Sequence, residues 1–436
     1  MKNKRSYFFI SILLACFCFA NAQKTDFKKF CAEFIKEYKA LEIPATGLDY
    51  KNNFGNIQNK EQLEKQQLFF VSQGKILQQV EEKNLNAEEK LRYKQLNYEI
   101  VMNLERIALE KNWNDEGRKI PENGLHSLPN YKEWYSYYIK HFTSVNISPE
   151  EVFAMGLSEV KKIQSEIKSI QTALGFKDEE SFYKYLGNNS FYLKDKDSIQ
   201  LAYAEIDKTV RKNLEKMFPK NDVVEIGVME WPDSGPNTPP GIYLGKKDNA
   251  YGKDIFQYNF YGHKHNRRSM EWLYMHEAIP GHHLQSVVRR TTKEDVLSGE
   301  YFYFGNAEGW ACYIEDFGKE LGLYQNQYTY LGKWQWDLVR SARLVMEVGI
   351  HYYGWSYEKA MEYWKENIKG QDEIAEREIK RITNWAGQAL CYKVGALTIK
   401  QIVTQKIEQG VDSKTAHQFF LTHSDFPLQV LLAKIS

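Results

Sequence analysis

Hydrophobic residues recur every three or four positions along most of the chain. Between about residues 24 and 220 this spacing is that of amphipathic helices, as in Phe27, Phe30 and Phe34. Ser148-Pro149-Glu150-Glu151 is typical of a helix start, and the polar, Gly- and Pro-containing residues 112–130 predict a loop. The same periodicity predicts later helices at about residues 267–289, 306–321, 326–353, 356–369, 372–384 and 387–409.

The pattern becomes extended near residue 222, where β-branched residues begin to alternate with polar ones. Two or three short strands are expected within residues 223–230, 241–244 and 254–261, with a Pro-, Ser- and Asn-rich loop after the first. The sequence therefore predicts a mainly α-helical protein with a small β-sheet. We expect one continuous body made of a helical part, 23–220, and a second part, 221–436.

The N-terminus has the features of a secretory signal peptide spanning residues 1–22. A basic start precedes the apolar residues 7–19, and Ala20-Asn21-Ala22 is a typical cleavage site. The apolar run is short for a membrane-spanning helix, so we expect no membrane span. The sequence predicts export to the periplasm or the extracellular space. Lipid attachment at Cys16 is the less favoured alternative, because the apolar run continues past that cysteine.

Charge and cysteine content argue against several classes of protein. The chain has 58 Lys plus Arg against 57 Asp plus Glu, so charge does not favour a nucleic acid as partner. Signal cleavage would remove two of the five cysteines and leave Cys31, Cys312 and Cys391. An odd number without a close pair fits neither a disulfide framework nor a thiolate zinc site.

The stretch His276-Glu277-Ala278-Ile279-Pro280-Gly281-His282-His283 contains three of the ten histidines. In zincins, a helical His-Glu pair and a His four positions after the first supply two zinc ligands and a general base. Here position i+4 is Pro280, so His282 would lie on the wrong face of a regular helix and His283 roughly 10 Å along it. Either histidine therefore requires a distorted helix, and Pro280-Gly281 supplies residues that distort one.

A third metal ligand is expected from a later helix. Gluzincins use a Glu roughly two to three dozen residues after the motif, and Glu308 lies at that distance in a predicted helix. Together these residues predict a Zn²⁺ site. Glu315 lies two turns further on the same face, and we interpret it as an acid that supports the site or the fold. His263 and His265 form a His-Lys-His run that is typical of a solvated turn.

These motifs resemble the bacterial DUF885 family, a group of gluzincin-like candidate metallopeptidases. The resemblance rests on HEAIPGHHLQ within residues 271–285, AEGWACYIE at 307–315, SARLVMEVGIHYYGW at 341–355 and GQALCYKVG at 387–395. It covers about residues 255–400, and the chain is shorter than we expect for this family. The chain departs from the family pattern at Ala386, where Pro usually precedes Gly-Gln, and at Ile382, where Tyr usually follows the Arg.

The resemblance implies a large helical, zincin-like body similar to thimet oligopeptidase and carboxypeptidase Taq, with the small sheet beside an active-site cleft. It implies His276, His282 and Glu308 as the zinc ligands and Glu277 as the general base. His282 is preferred to His283 because Gly-His stands in the same local order as in HExGH relatives. His283 would then support the site or face the substrate.

Peptide hydrolysis also needs a hydrogen-bond donor for the developing oxyanion. Tyr392 is the first candidate and His351 the second, although each also fits a buried structural side chain. Three arginines are candidates for binding a substrate carboxylate, with a surface salt bridge as the alternative for each: Arg340, Arg343 and Arg381.

The predicted function is that of an exported, zinc-dependent metallopeptidase acting on short peptides. Two alternatives remain, a catalytically silent surface protein that binds zinc and peptides, and a hydrolase of a non-peptide amide. Glu277 argues against the silent protein, because a non-catalytic site has no need for a general base. The sequence leaves the oligomeric state open, as well as the choice among dipeptidase, carboxypeptidase and oligoendopeptidase.

Overall fold

Most of the amphipathic periodicity forms helices, as predicted. The computed structural model describes residues 26–116, 119–219, 224–292 and 295–433, so the predicted signal peptide and Cys16 lie outside it. Up to residue 219 the described residues contain α1 (Phe27–Lys39), α2 (Tyr50–Gly55), α3 (Lys60–Leu77), α4 (Ala87–Glu116), α5 (Tyr131–Thr143), α6 (Pro149–Ala173), α7 (Glu179–Leu186) and α8 (Lys196–Asn213). After residue 266 they contain α9 (Arg267–Glu277), α10 (His282–Thr291), α11 (Phe304–Ile314), α12 (Gln327–His351), α13 (Tyr357–Asn367), α14 (Ala375–Asn384), α15 (Cys391–Glu408), α16 (Ser413–Thr422) and α17 (Leu428–Leu432).

The helix ends follow from local sequence, with two corrections. α6 begins at the predicted start, where Ser148 accepts a hydrogen bond from the backbone of Glu151 and the Glu151 side chain accepts one from the backbone of Ser148. α4 continues to Glu116, so the predicted loop at 112–130 begins later than expected. The predicted helix at 267–289 is two helices, α9 and α10, separated by residues 278–281.

The strands form two small sheets. β1 (Tyr192–Leu193) pairs antiparallel with β5 (His265–Asn266). The larger sheet has the order β2-β4-β3, in which β2 (Gly227–Glu230) runs parallel to β4 (Ile255–Tyr258) and β3 (Gly241–Leu244) antiparallel to it. Its three strands lie within the predicted segments, and β3 is an edge strand. The described helices include none with both the length and the hydropathy needed to cross a membrane.

The helix α12 lies at the centre of the helical packing. Nearly all of its residues from Leu331 onward are buried, and it packs against α6, α9 and α14. One core cluster joins Val152 of α6 and Phe142 of α5 to Leu344 of α12 and Val394 of α15. The two predicted parts of the chain, 23–220 and 221–436, therefore share a hydrophobic core.

Two glycines let α11 and α15 approach closely. A Cβ added to Gly309 would lie 2.6 Å from the backbone of Gly395, a separation that side chains do not tolerate. Glu308 precedes the first glycine by one residue and Tyr392 precedes the second by three. The close contact therefore brings these two side chains to one cavity, which both of them line.

Candidate metal centre and active-site cavity

The predicted break in the motif helix lies between Glu277 and His282. Residues 278–281 leave the helical conformation, the Ile279–Pro280 peptide bond is cis, and the carbonyl of Pro280 accepts a hydrogen bond from the Trp310 indole at 2.9 Å. Gly281 packs so tightly that an added Cβ would lie 2.0 Å from the carbonyl oxygen of His276. The break returns His282 to the side of His276, with ring centroids 4.9 Å apart.

Three side chains converge as metal ligands would. The Nε2 atoms of His276 and His282 each lie 3.6 Å from Oε2 of Glu308. In tetrahedral zinc sites with metal–ligand bonds of about 2.0–2.1 Å, neighbouring ligand atoms are about 3.4 Å apart. Burial opposes ionisation of Glu308, but the two imidazoles hold the pKa of its carboxyl well below the usual range. Two imidazoles, which bind metals in their neutral form, and one anionic carboxylate therefore make a suitable ligand set for Zn²⁺.

The second ring nitrogen of His276 is fixed by a buried acid. Its Nδ1 lies 2.8 Å from Oε1 of Glu315, and the other carboxylate oxygen of Glu315 accepts a hydrogen bond from Nη1 of Arg340 at 2.7 Å. A carboxylate that accepts the Nδ1 proton leaves Nε2 of the imidazole free to bind a metal. Glu315 is thus placed to orient His276, the supporting role that the sequence suggested for it.

His276 also belongs to a second group of potential ligands. Cys312 and Glu315 offer atoms that lie, with a His276 nitrogen, within 4.8 Å of one another. Burial raises the pKa of the Cys312 thiol, so the neutral form is favoured, and thiolate is the form that binds metals. Because Glu315 is already paired with Arg340, this group is a poorer cation site than the one with Glu308.

Glu277 lies beside the three ligands on the wall of the cavity. Its carboxylate is buried, and burial raises its pKa, which the neighbouring imidazoles of His276 and His282 lower in turn. The backbone N–H of Tyr243 in β3 lies near the carboxylate and also lowers its pKa. The edge strand therefore lies next to the predicted general base.

The cavity has a volume of about 1110 Å³ and opens between the sheet and the C-terminal helices. β3 borders one side, with Gly241, Ile242 and Tyr243 in its wall. The predicted placement of the small sheet beside the cleft is confirmed. The opposite wall is rich in arginine and tryptophan and includes Trp336, Arg340, Arg343, Arg381, Trp385 and Tyr392.

Tyr392 links the arginine wall to the metal ligands. Its ring is stacked on that of His276, with centroids 6.5 Å apart, and its hydroxyl oxygen accepts a hydrogen bond from Nη2 of Arg381 at 2.9 Å. Burial raises the pKa of Tyr392, so its hydroxyl stays protonated at neutral pH. The hydroxyl proton is therefore available to a group in the cavity, as a donor to an oxyanion must be.

The three candidate arginines all reach the cavity but differ in their partners. Arg340 is paired with Glu315, and Nε of Arg343 donates to Glu378 at 2.8 Å. Burial opposes ionisation of Glu378, but Arg343, Arg381 and Arg377 lower its pKa to about 2. The surface salt bridge considered for these residues is wrong for Arg340 and Arg343, since both are buried.

Two predicted site histidines lie away from the cavity. His283 is fully buried, with Nε2 bonded to the carbonyl of Val224 at 2.8 Å, so it does not contact a substrate in the cavity. His351 accepts a hydrogen bond from the backbone of Leu125 through Nδ1 at 3.1 Å, and its Nε2 donates to the carbonyl of Ile382 at 2.8 Å. With both nitrogens used by the backbone, His351 is a structural residue and no oxyanion donor.

His265 also departs from its interpretation as a residue of a solvated turn. It is buried in β5, and its Nε2 lies 2.8 Å from the hydroxyl of Tyr203. Burial lowers its pKa to about 4. His263 is exposed, as expected of a turn.

Two polar residues of the arginine wall were missed. Glu378 binds Arg343 and Arg377, and Oε1 of Gln388 accepts a hydrogen bond from Arg381 at 2.8 Å. Gln388 belongs to the GQALCYKVG segment, and Glu378 precedes Arg381 by three positions on α14, hence on the same helical face. Those two signals in the sequence could have identified them.

Comparison with known proteins identifies the family of the chain. No curated protein matches it significantly. A crystal structure from Colwellia psychrerythraea, described as that of a candidate lipoprotein, is 24% identical, covers 93% of this chain and 73% of its own, and has a TM-score of 0.65. A structure from Shewanella oneidensis, described as a candidate lipoprotein of unknown function, is 18% identical, covers 93% and 76%, and has a TM-score of 0.58.

These likenesses show a common fold. The sequence profile of the family described as "Bacterial protein of unknown function (DUF885)" matches residues 58–435. That match covers most of the chain, including the motif helix, the Glu308 helix and the arginine wall. The chain belongs to the DUF885 family.

Proposed function

We propose that this protein is an exported, zinc-dependent metallopeptidase that hydrolyses short peptides. One observation carries the proposal: the break at Pro280-Gly281 puts His276, His282 and Glu308 at ligand spacing, with Glu277 beside them in the same cavity. Two histidines, one carboxylate and an adjacent free carboxylate are the side chains of a catalytic zinc site with an open position.

Each residue has a separate role in the proposed reaction. His276, His282 and Glu308 would hold the ion, which when bound lowers the pKa of a coordinated water towards neutrality and polarises a carbonyl group. The Glu277 carboxylate takes the proton from the attacking water and returns it to the departing amine. The Tyr392 hydroxyl, oriented by Arg381, donates a hydrogen bond to the carbonyl oxygen as negative charge develops on it.

The shape of the cavity supports peptides as substrates. An edge strand such as β3 can pair with an extended peptide through its backbone, independent of the side chains of that peptide. Tyr243 of β3 and Glu277 line the same cavity, so a peptide lying along the strand would pass the general base. The volume of about 1110 Å³ suits a short peptide rather than a folded protein.

Export rests on the N-terminal sequence and has its own test. Cleavage after Ala22 would leave Gln23 as the first residue, whereas the alternative would leave a lipid on Cys16. The intact mass of the protein isolated from its host distinguishes the two outcomes. A retained residue 1 on the isolated protein would contradict export by either route.

Metal analysis combined with one substitution tests the proposed chemistry. Purified protein is expected to contain about one zinc per chain. Glu277→Gln should keep the zinc and lose at least about 10²-fold in hydrolysis of a peptide library read by mass spectrometry, since it removes the general base. Glu376→Gln is the matched control, because Glu376 lines the same cavity but is exposed and paired with Lys380.

The outcomes separate the proposal from its alternatives. Protein that binds no zinc would overturn it. Zinc with no turnover of any peptide, in wild type as in Glu277→Gln, would favour the silent zinc- and peptide-binding protein. Turnover of non-peptide amides alone, abolished by Glu277→Gln, would favour the third interpretation.

A further inference from the structure

Arg381 differs from the other two candidate arginines in its partners. Its Nη2 donates to Gln388 and Tyr392, both of which are neutral, and its Nε has no hydrogen-bond partner among the described residues. In that part of the chain no Asp or Glu forms an ion pair with it. Nε is buried, so the donors that Arg381 offers to the cavity are the N–H groups of Nη1, which bond to no described residue.

The charge around Arg381 is unbalanced. Arg343, Arg377 and Arg381 lie around the carboxylate of Glu378, which bonds to the first two. Glu347 also lies near Arg343 and Arg381, but burial raises its pKa to about 8, so it is mostly neutral at pH 7. Arg340 is neutralised by Glu315 on another helix. Arg381 is half-buried, and a cation that is partly withdrawn from water without a paired anion is stabilised by binding one.

Other acids on the cavity wall do not supply that anion. Glu376 is paired with Lys380, whereas Asp248 and Glu373 are exposed at the rim. Glu308 is directed to the two histidines. The excess positive charge therefore faces the interior of the cavity, next to the candidate metal centre.

The contacts of Tyr392 place Arg381 close to the metal ligands. The Tyr392 ring lies 6.5 Å from the His276 ring and 5.3 Å from the guanidinium carbon of Arg381. An anion bound by Arg381 would therefore lie beside the candidate metal centre, near the scissile bond of a bound peptide. The carboxylate that every unmodified peptide carries, whatever its side chains, is the C-terminal one.

We propose that Arg381 binds the C-terminal carboxylate of a peptide, so that the protein is a carboxypeptidase releasing single C-terminal residues. This inference rests on the proposed metallopeptidase function. The free N–H groups of Nη1 can donate to the carboxylate, while Tyr392, held by Nη2 of the same guanidinium, reaches the adjacent carbonyl oxygen. Binding of the terminus and placement of the scissile bond are then coupled.

The reaction balances as a simple hydrolysis. The water oxygen adds to the carbonyl carbon of the penultimate residue, the C–N bond to the last residue breaks, and the proton taken by Glu277 passes to the leaving nitrogen. The products are a peptide shortened by one residue, with a new carboxylate, and a free amino acid.

The test compares three libraries of N-acetylated tetrapeptides with randomised side chains. One has free C-terminal carboxylates, the second is amidated, and the third is amidated with Glu in the last position, so that a side-chain carboxylate replaces the terminal one. Wild-type protein should release single residues from the first library and cleave both amidated libraries about 10- to 100-fold more slowly, the value of a charge-assisted hydrogen-bonded pair.

Substitution of Arg381 should remove this discrimination. Arg381→Gln should lower kcat/KM for all three libraries, because the hydrogen bond to Tyr392 is lost, but about 10- to 100-fold more for the free-acid library than for the amidated ones. Arg381→Lys should recover part of this difference. Arg289→Gln is the matched control, since Arg289 also lines the cavity but lies on α10. Discrimination that survives Arg381→Gln, that is lost in Arg289→Gln, or that favours the third library would overturn the proposal.

A binding measurement separates this inference from the proposed function. Metal-loaded Glu277→Gln should show a larger increase in melting temperature with the free-acid library than with the amidated one, and Arg381→Gln in that background should abolish the difference. Because no turnover is needed, this result can hold even if the peptidase proposal fails. Equal shifts with both libraries in a protein that cleaves internal peptide bonds would overturn the inference alone.

Discussion

The two nitrogens of the His276 ring lie against similar side chains in different surroundings, and we call the two sides of the ring its Nε2 face and its Nδ1 face. Nε2 faces Glu308, 3.6 Å away, and Nδ1 faces Glu315, 2.8 Å away. The Glu308 side chain is 19% exposed and, among the described residues, pairs with no Lys or Arg, whereas the Glu315 side chain is 1% exposed and pairs with Arg340. The comparison teaches that burial and countercharge, more than ligand type, separate a cation site from a structural ion pair.

The largest effect is expected from a change on the face that borders the cavity. Glu308→Gln removes the anionic ligand, so zinc content should fall from about one per chain to background and peptide hydrolysis should fall with it. Metal analysis after dialysis and turnover of a peptide library measure both. Full zinc content in Glu308→Gln would mean that the ion binds elsewhere, and the distinction between the two faces would fail.

The next effect is expected on the buried face. Glu315→Gln should reduce zinc affinity or turnover about 10- to 100-fold, because the carboxylate orients His276. It should also lower the free energy of unfolding by about 3–5 kcal/mol, because it leaves the Arg340 guanidinium without its carboxylate inside the core. Urea denaturation of the metal-free protein measures this loss.

A double substitution is the control for Glu315. Glu315→Gln combined with Arg340→Met removes both charges and should recover much of the stability but not the zinc affinity. A single Glu315→Gln protein as stable as wild type would contradict the assignment of Glu315 to a structural ion pair.

A third prediction concerns His351, a fully buried histidine whose two ring nitrogens are both hydrogen-bonded to the backbone. Burial lowers its pKa to about 4, so the folded protein keeps it neutral while an unfolded chain protonates it near pH 6.5. Because the unfolded state binds the extra proton, His351 should destabilise the protein by up to about 3 kcal/mol as the pH falls from 6.5 to 4. Above pH 6.5 this contribution is constant.

Denaturation of metal-free wild type and His351→Gln at pH 7 and pH 4.5 measures that contribution. The substitution should lower stability at pH 7, where two backbone hydrogen bonds are lost, and should make the dependence on pH shallower. Parallel pH profiles for the two proteins would show that His351 does titrate with a normal pKa.

Some features of the fold and of the candidate site can be predicted from the sequence, and others cannot. Local periodicity and the backbone properties of Pro and Gly are enough to predict the helices, the strands around 227–258 and the break at Pro280-Gly281. These features depend on residues that are neighbours in the sequence. Glu308 follows from its spacing to the motif. The hydrogen-bond partners of His351 cannot be predicted in this way, because Leu125 lies 226 positions earlier in the chain. A histidine on an apolar helix gives the same sequence pattern whether it is a structural residue or an oxyanion donor.

The arginine wall shows the same limit for charge. The local sequence pattern does not distinguish among three arginines on predicted helices, Arg340, Arg343 and Arg381. The packing of other helices decides which carboxylate pairs with which guanidinium. Glu315 arrives from the segment after α11 and Glu378 from α14. These tertiary contacts, which local patterns do not contain, give Arg340 and Arg343 a carboxylate partner and leave Arg381 without one among the described residues.

The smallest effect is expected at Cys312, which tests whether the buried face holds an ion. Cys312→Ala removes one member of the second potential ligand group and should leave zinc content unchanged, while the small cavity it creates lowers the free energy of unfolding by about 1 kcal/mol. Cys31→Ala, in a buried position on α1, is the matched control and should behave alike in both measurements. Loss of zinc in Cys312→Ala alone would move the metal to the Nδ1 face of His276, where Glu315 would have to exchange Arg340 for the ion.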